Sequence, residues 1–314
     1  MNKRYNDIST FFSQYFDNKV QKISINAGFT CPNRDGSKGS GGCTYCNNQT
    51  FSPEYCHTEE SIAQQIAHGM KFFQRKYPQM KYLAYFQAYT NTYGELELLK
   101  QKYEEAIAQP DVVGLIIGTR PDCMPDSLLD YLAEFSKRTF LMIEYGVEST
   151  CNKTLSYINR GHSWECSVET IQRTAQRGIL TGVHMILGLP GESHEQMMEH
   201  ADKLSQLPIA TLKLHQLQLI RHTRMARQIQ ENPELFHLYP VDEYIDLAID
   251  FIERLRPDIV VERFVSQSPK ELLLAPEWGL KNYEITAKIE KRMIERNTWQ
   301  GKKYTHSCKS FNLD

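Results

Sequence analysis

Short runs of β-branched and aromatic residues recur along the first 220 positions, each followed by a longer amphipathic segment, and this rhythm constrains the fold more than any other feature of the sequence. Candidate strands are KISINAG (22–28), YLAYFQA (82–88), VVGLIIG (112–118), FLMIEYG (140–146), GVHMILG (182–188) and LKLHQLQL (212–219). Helices are expected between them at about 59–77 after Thr58, 95–108 ending at Pro110, 125–137 opening with Pro125, 164–178 ending at Gly178, and 193–206 opening with Ser193. Strands separated by helices of ten or more residues pair in parallel through right-handed crossovers. The chain is therefore α/β, either a partial (β/α)6 TIM-like barrel or an open doubly wound sheet. Both place reactive residues just past the C-terminal ends of the strands. After residue 220 the alternation gives way to helical segments near 241–255 and 283–297 and one β-like run, IVVERF (259–264). This part is read as a helical C-terminal extension packed on the barrel, with residues 1–225 forming the barrel and 226–314 the extension.

A chain of 314 residues, 41% hydrophobic and 24% charged, buries a large core without staples. Its net charge of −2 excludes a wholesale polyanion coat but leaves room for a local basic face. No run approaches the ~18 apolar residues that span a bilayer. The start, MNKRYNDISTFFSQYF, lacks the apolar core of a secretion signal, so a cytoplasmic protein with no membrane partner is expected. In a reducing compartment the eight cysteines stay thiols. Four of the eight fall between Cys31 and Cys56.

Directly after the first strand comes CPNRDGSKGSGGCTYC, with thiols at Cys31, Cys43 and Cys46 in a C-x11-C-x2-C spacing. Two cysteines two residues apart grip one metal centre from a single turn, and the low-complexity stretch RDGSKGSGG (34–42) lets the third fold back onto it. Two readings stand. Structural zinc wants four ligands, and Cys56 or His57 could complete such a site. A 4Fe-4S cluster held by three thiolates instead keeps one iron open for chemistry. Buried packing thiols would not collect in a loop of Gly, Asn and Ser. Of the other cysteines, Cys308, beside His306 in a polar tail, is the least explained.

These three cysteines, with Tyr45 just before the last, resemble the radical S-adenosylmethionine (SAM) signature, usually C-x3-C-x-aromatic-C. The longer first interval is similar to the variant in the elongator catalytic subunit and the YhcC-type group of bacterial radical SAM proteins. TRPDC (119–123), GVES (146–149), NRGH (159–162), GVHMILGLPGE (182–192), QAYTNTYG (87–94) and WQGKKY (299–304) extend the likeness over nearly the whole chain. The resemblance implies a partial barrel with a 4Fe-4S cluster at its mouth on Cys31, Cys43 and Cys46. It further implies an oxidoreductase-type enzyme in which the reduced cluster cleaves SAM to methionine and a 5'-deoxyadenosyl radical, with flavodoxin or ferredoxin as reductant. By the same resemblance Gln87 and Asn91 stand where the methionine amine is cradled, Glu148 where the ribose hydroxyls bind, and Arg160 where the SAM carboxylate is paired. His184 stands at a ribose position and Gly188 in the turn near the adenine. Read from residues alone, Arg160 is equally a surface arginine, His184 a satisfied core residue and Gly188 an ordinary strand-to-helix turn. Arg120 and Asp122 orient ligand or fix their loop, while His215 and Gln216 are lumen candidates. No catalytic residue is identified.

Basic residues gather late, at Arg221, Arg224 and Arg227 and then within 281–303, where seven Lys/Arg face three acids. Tyr283, Trp299 and Tyr304 lie among the later ones, as in surfaces that stack unpaired bases and meet phosphates. Together with the elongator likeness this points to tRNA, at a wobble-uridine side chain. The alternatives are a radical SAM oxidoreductase of a small metabolite and a non-catalytic zinc-bearing RNA or protein interaction module.

Overall fold

The computed structural model describes residues 3–53, 55–74 and 79–305, so Cys308 and His306 lie outside the described residues. The elements run α1 (Ile8–Phe12), β1 (Val20–Ile25), α2 (Ile62–Gln74), β2 (Lys81–Phe86), α3 (Leu96–Ile107), β3 (Val112–Thr119), α4 (Asp126–Ser136) and β4 (Phe140–Glu148). They continue with α5 (Asn152–Tyr157), α6 (Trp164–Gln176), β5 (Leu180–Leu187), α7 (His194–Leu204), β6 (Thr211–Gln216), β7 (Leu219–Ile220) and α8 (Met225–Glu231). The last four are α9 (Val241–Arg254), β8 (Val260–Arg263), β9 (Leu273–Ala275) and α10 (Asn282–Glu295).

Seven parallel strands form one sheet in the order β1-β2-β3-β4-β5-β6-β8. That order resolves the choice between the two α/β architectures. A doubly wound sheet reverses its strand order at a switch point, whereas here the order climbs steadily. Successive right-handed crossovers then put the helices on one face, and the sheet curls so that the other face lines a lumen. The curl is a half-barrel that does not close, because β1 and β8 are its two edges.

Two elements differ from expectation. The run 212–219 is not one strand: β6 stops at Gln216, and Leu219–Ile220 leaves the barrel to pair antiparallel with β9. The run 259–264 does not merely pack on the barrel; it supplies the seventh strand, with Leu212 facing Val261 in register. The helix before it, α9, is therefore the crossover between β6 and β8. Its length and apolar face read in sequence like an independent helical segment, which conceals that role.

Strand alternation divides the core. On β2, Tyr82, Ala84 and Phe86 face the helices, while Leu83 and Tyr85 face inward. Leu83, Ile116 and Met142 with Phe12, Phe16 and Phe140 form an apolar plug. Phe12 belongs to α1, a helix too short to show a period in sequence; Asp7 caps it by accepting from the Ser9 and Thr10 amides at 2.9 and 3.3 Å. The two ends of the described chain meet at β8. Gln300 accepts from the Asn6 amide at 2.9 Å and donates to the Arg256 and Ile259 carbonyls at 2.9 and 2.7 Å. The Val261 amide in turn donates to Asn6 at 2.8 Å. Among the described residues no helix is long and apolar enough to cross a membrane.

Candidate active site

The loop after β1 carries Cys31, Cys43 and Cys46, and all three line one cavity at the C-terminal mouth of the half-barrel. Glycine makes the loop's return possible. Gly42 sits at φ +73°, in the left-handed region, and a Cβ there would stand 2.9 Å from the Arg34 guanidinium. The NRGH segment clamps the loop from beneath. Asn159 donates to the Gly42 carbonyl at 2.8 Å, its own carbonyl accepts from Asn33 at 2.6 Å, and the Thr44 amide reaches the Ile158 carbonyl at 2.9 Å. Arg224 adds a donor to the Gly42 carbonyl at 2.8 Å.

N–H donors surround the sulfurs. Arg160 and Asn33 approach Cys43 at 3.5 and 3.7 Å, and Asn48 approaches Cys46 at 3.6 Å. Burial, with the neighbouring Cys43, pushes the Cys46 thiol up to about 11 against the pull of Arg34. Among the described residues no three His, Cys, Asp or Glu side chains close on a single-ion position. Cys56 is elsewhere, buried against Gln65 at 3.1 Å, and His57 is exposed. Neither of them lines the mouth cavity beside the three thiols.

The other expected residues divide. Gln87, Glu148, Arg160 and His184 line the same cavity as the thiols. Glu148 ends β4 at φ +69°, and its carboxylate stands 3.7 Å from Arg160. A Cβ on Gly146 would come within 2.6 Å of Glu148 and 2.7 Å of Arg160, so glycine keeps the space in which these two meet. Arg160 also donates to the Gly146 carbonyl at 2.5 Å, and its Nε is buried without a partner. Asn91 is fully buried behind the wall and donates to the Gly118 carbonyl at 2.9 Å. Gly188 is also off the lining: its amide approaches the Met197 sulfur at 3.2 Å, and a Cβ would meet the Tyr239 ring at 3.2 Å.

Arg120 and Asp122 fix their loop. Asp122 accepts from Arg120 at 2.9 and 3.0 Å and pairs with Lys38 of the cysteine loop at 3.1 Å. Burial raises the Asp122 carboxyl, but the Arg120 bonds outweigh it and hold the group at about 2 against an ordinary 3.8. A carboxyl depressed by that amount contributes about 2 kcal/mol, present above its unfolded value and lost as pH falls through the folded one. Asp122→Asn is accordingly expected to lower urea-unfolding stability by about 2 kcal/mol at pH 7. The gap to the parent should narrow between pH 4 and pH 2, and a gap that is constant with pH would refute the assignment.

Sequence reasoning did not single out the ionic layer deeper in the lumen. Lys213 contacts Glu144 at 2.5 Å, Tyr85 at 3.0 Å and Glu262 at 3.2 Å. Lys22 contacts Glu262 at 2.7 Å and Glu144 at 3.1 Å. His184 meets Glu144 at 3.0 Å, and Arg263 meets His215 Nε2 at 3.1 Å. Burial opposes the charge of Glu144, yet Lys213 and Lys22 hold its carboxyl well below the usual range. Burial, then Lys213, lowers His184; burial, then Arg263, drives His215 well below the ordinary histidine range. The available signal was a charge at an inward position of an apolar strand, at Lys22, Glu144 and Lys213.

The late basic residues divide as well. Arg292 of α10 and Arg296, which caps its C-terminal end, are engaged with Asp246 and Asp250 of α9. Arg221, Arg224 and Arg227 are exposed, Arg224 against the cysteine loop, and make no ion pair with the described residues.

Family models match residues 29–204 as radical SAM superfamily and 209–295 as the radical SAM C-terminal domain. The chain is 36% identical to YtqA of Bacillus subtilis (strain 168) over 300 residues, covering 96% of this chain and 92% of that protein. It is 35% identical to YhcC of Escherichia coli (strain K12) over 281 residues, 89% of each. A 95-residue stretch, 30% of this chain and 17% of the other, is 32% identical to the tRNA uridine(34) acetyltransferase of Methanocaldococcus infernus. Among solved structures, Methanocaldococcus infernus Elp3 lacking residues 1–46 aligns with a TM-score of 0.68 at 16% identity, a likeness of fold. That alignment covers 90% of this chain, which spans 64% of the Elp3 chain.

Proposed function

Because this chain belongs to the radical SAM superfamily, we propose that it is an enzyme that cleaves SAM at a 4Fe-4S cluster held by Cys31, Cys43 and Cys46, and that it acts on tRNA at the wobble-uridine side chain. The observation that carries the reading is the convergence of those three thiols on one cavity with Gln87, Glu148, Arg160 and His184. The donor set fits the cluster: three soft ligands, N–H groups facing the sulfurs, and guanidinium charge from Arg34 and Arg160 beside them. When bound, the reduced cluster supplies the electron that cleaves SAM and so begins hydrogen abstraction from the substrate. The protein's own part is binding, orientation and exclusion of water.

In this reading Arg160 fixes Cys43 and presents its unpartnered Nε to the SAM carboxylate, a pairing suited to a planar fork of donors. Glu148 accepts from the ribose hydroxyls, and the polar group of Gln87 faces the methionine end. The apolar plug of Phe12, Phe16 and Phe140 shuts the far end of the lumen to solvent. Two observations support tRNA: the segment shared with a protein named for uridine 34 of tRNA, and the exposed Arg221, Arg224 and Arg227, which make no ion pair with the described residues and suit phosphates. The ionic layer in the lumen favours a second reading, oxidation of a small charged metabolite.

The test uses anaerobically reconstituted protein with a chemical reductant and SAM, followed by nucleoside mass spectrometry of tRNA from cells with and without the gene. Methionine and 5'-deoxyadenosine should form, and one modified uridine should be replaced by its precursor in cells lacking the gene. Intact SAM would refute the enzyme reading. Unchanged nucleosides would refute the tRNA substrate.

A further inference from the structure

TIM-type lumens are ordinarily filled by branched apolar side chains, yet here a layer of charge lies between the apolar plug and the mouth. Lys22 on β1, Lys213 on β6 and Arg263 on β8 supply three cations; Glu144 on β4 and Glu262 on β8 supply two carboxylates. The pairing within the layer is lopsided. Both lysines touch both carboxylates, at 2.5 to 3.2 Å, so the two negative charges are spent on two positive ones. Arg263 makes no ion pair with the described residues. Among the described residues its side chain bonds to His215, an imidazole that accepts at Nε2 and therefore brings no negative charge, and its Nε is buried with no partner there. A half-buried guanidinium whose Nε is shut off from water and that lacks a counter-charge is costly, and an anionic ligand would supply the missing charge.

The place fits that role. β1 and β8 are the two edges of the sheet, and the open seam between them holds a second cavity. Arg263, Tyr85 and Gln87 line both the seam cavity and the thiol-lined mouth cavity, so the two join at this arginine. Hydroxyl groups lie near it: Ser266 and Ser268 line the mouth cavity, and Ser268 donates to Gln218 at 2.8 Å. Tyr55, Phe72 and Phe73 wall the seam, with ring centroids 5.0 to 6.4 Å apart, and present an apolar surface to the body of a ligand.

From this arrangement we infer that Arg263 binds an anionic group of the substrate, a carboxylate or a phosphate, where the seam opens into the lumen. The inference rests on reading the mouth cavity as the place of SAM chemistry, and it names what the co-reactant must carry. Lys22 and Lys213 are not free to compete for the anion while Glu144 and Glu262 hold them. The layer thus sets both the charge of the ligand, at least −1, and the point at which that charge docks. The substrate's reactive carbon is then presented between Arg263 and the three thiols.

The experiment is calorimetric titration of the reconstituted holoenzyme, with and without saturating SAM, using inorganic phosphate in one arm and succinate in the other. One of the two should bind at one site per chain. Arg263→Gln should weaken that binding roughly tenfold, the loss of a charge-assisted contact. Arg263→Lys should retain most of it, and Glu262→Gln should tighten it severalfold by removing the negative charge next to Arg263 on β8, with Glu144 still holding both lysines. In Arg263→Gln the anion affinity should fall by a larger factor than the SAM affinity read in the same titrations. A phosphate response assigns a phosphorylated or nucleotide substrate, a succinate response an organic acid, and either supports the site. The inference is overturned if neither anion binds the parent, if Arg263→Gln binds as the parent does, or if Glu262→Gln weakens binding. Should Arg263→Gln fail to fold, the sign of the Glu262→Gln effect decides. Failure of the parent to bind SAM would strike the functional reading instead, and the arm without SAM reports on the anion independently.

Discussion

Alanine in place of Cys31, Cys43 or Cys46 is expected to take iron from about four per chain to well under one, and SAM cleavage down by more than about 100-fold. The expectation follows from the number of ligands. With three protein thiolates already leaving one iron open, loss of a further one leaves two irons without protein sulfur. Cys43 should be the most severe of the three, since the Arg160 and Asn33 donors that approach its sulfur lose their acceptor together. Cys56→Ala is the control. That thiol lies against Gln65 and away from the cavity, so its replacement should leave iron content and cleavage near the parent's. Iron and sulfide assay of anaerobically prepared variants decides the matter. Iron retained in Cys43→Ala, or lost equally in Cys56→Ala, would remove the basis for the cluster assignment.

Lys213→Met should be the most destabilising single change in the lumen. It removes one of the two cations that touch both carboxylates and leaves buried Glu144 and half-buried Glu262 to share Lys22. Breaking one partner of a buried pair costs about 3–5 kcal/mol because an uncompensated charge remains. At this chain length that is roughly a 5–8 °C fall in Tm. Lys213→Met/Glu144→Leu leaves Lys22 paired one-to-one with Glu262, so the double variant should recover much of the loss. The comparison is one of scanning calorimetry between parent, single and double variants. If the double variant is as unstable as the sum of its two singles, the ions act independently and the network description fails.

Much of this architecture was legible in the residues, for a physical reason. Strand-helix alternation is a local signal, and each of the six early β-runs lies on an observed strand because the period of a half-buried strand is written within five or six neighbouring residues. The cysteine trio was legible for the same reason: Cys43 and Cys46 are close in sequence, and a glycine-rich loop before them announces a chain that must fold back. What was not legible depends on residues far apart. Arg263 makes sense only beside His215, 48 positions away, and Lys213 only beside Glu144, 69 positions away. Asn91 illustrates the converse. Its position after β2 resembles that of a ligand contact, but its amide is taken by the Gly118 carbonyl, and no local pattern foretells that bond. The role of β8 was obscured because four residues, Val260–Arg263, carry little periodic signal, and only the edge of β6 reveals what they complete.

The fastening of β8 by distant segments sets an order of assembly. Gln300 reaches Asn6, Arg256 and Ile259 together, and Asn6 in turn reaches Val261, so the last parallel strand is secured by residues 294 positions apart in the sequence. Without those bonds β8 is held in the sheet by β6 alone, and wherever it detaches, β6 becomes a bare edge with its backbone groups open to any passing strand. A truncation upstream of Gln300 removes the lock and should leave the protein prone to misassociation.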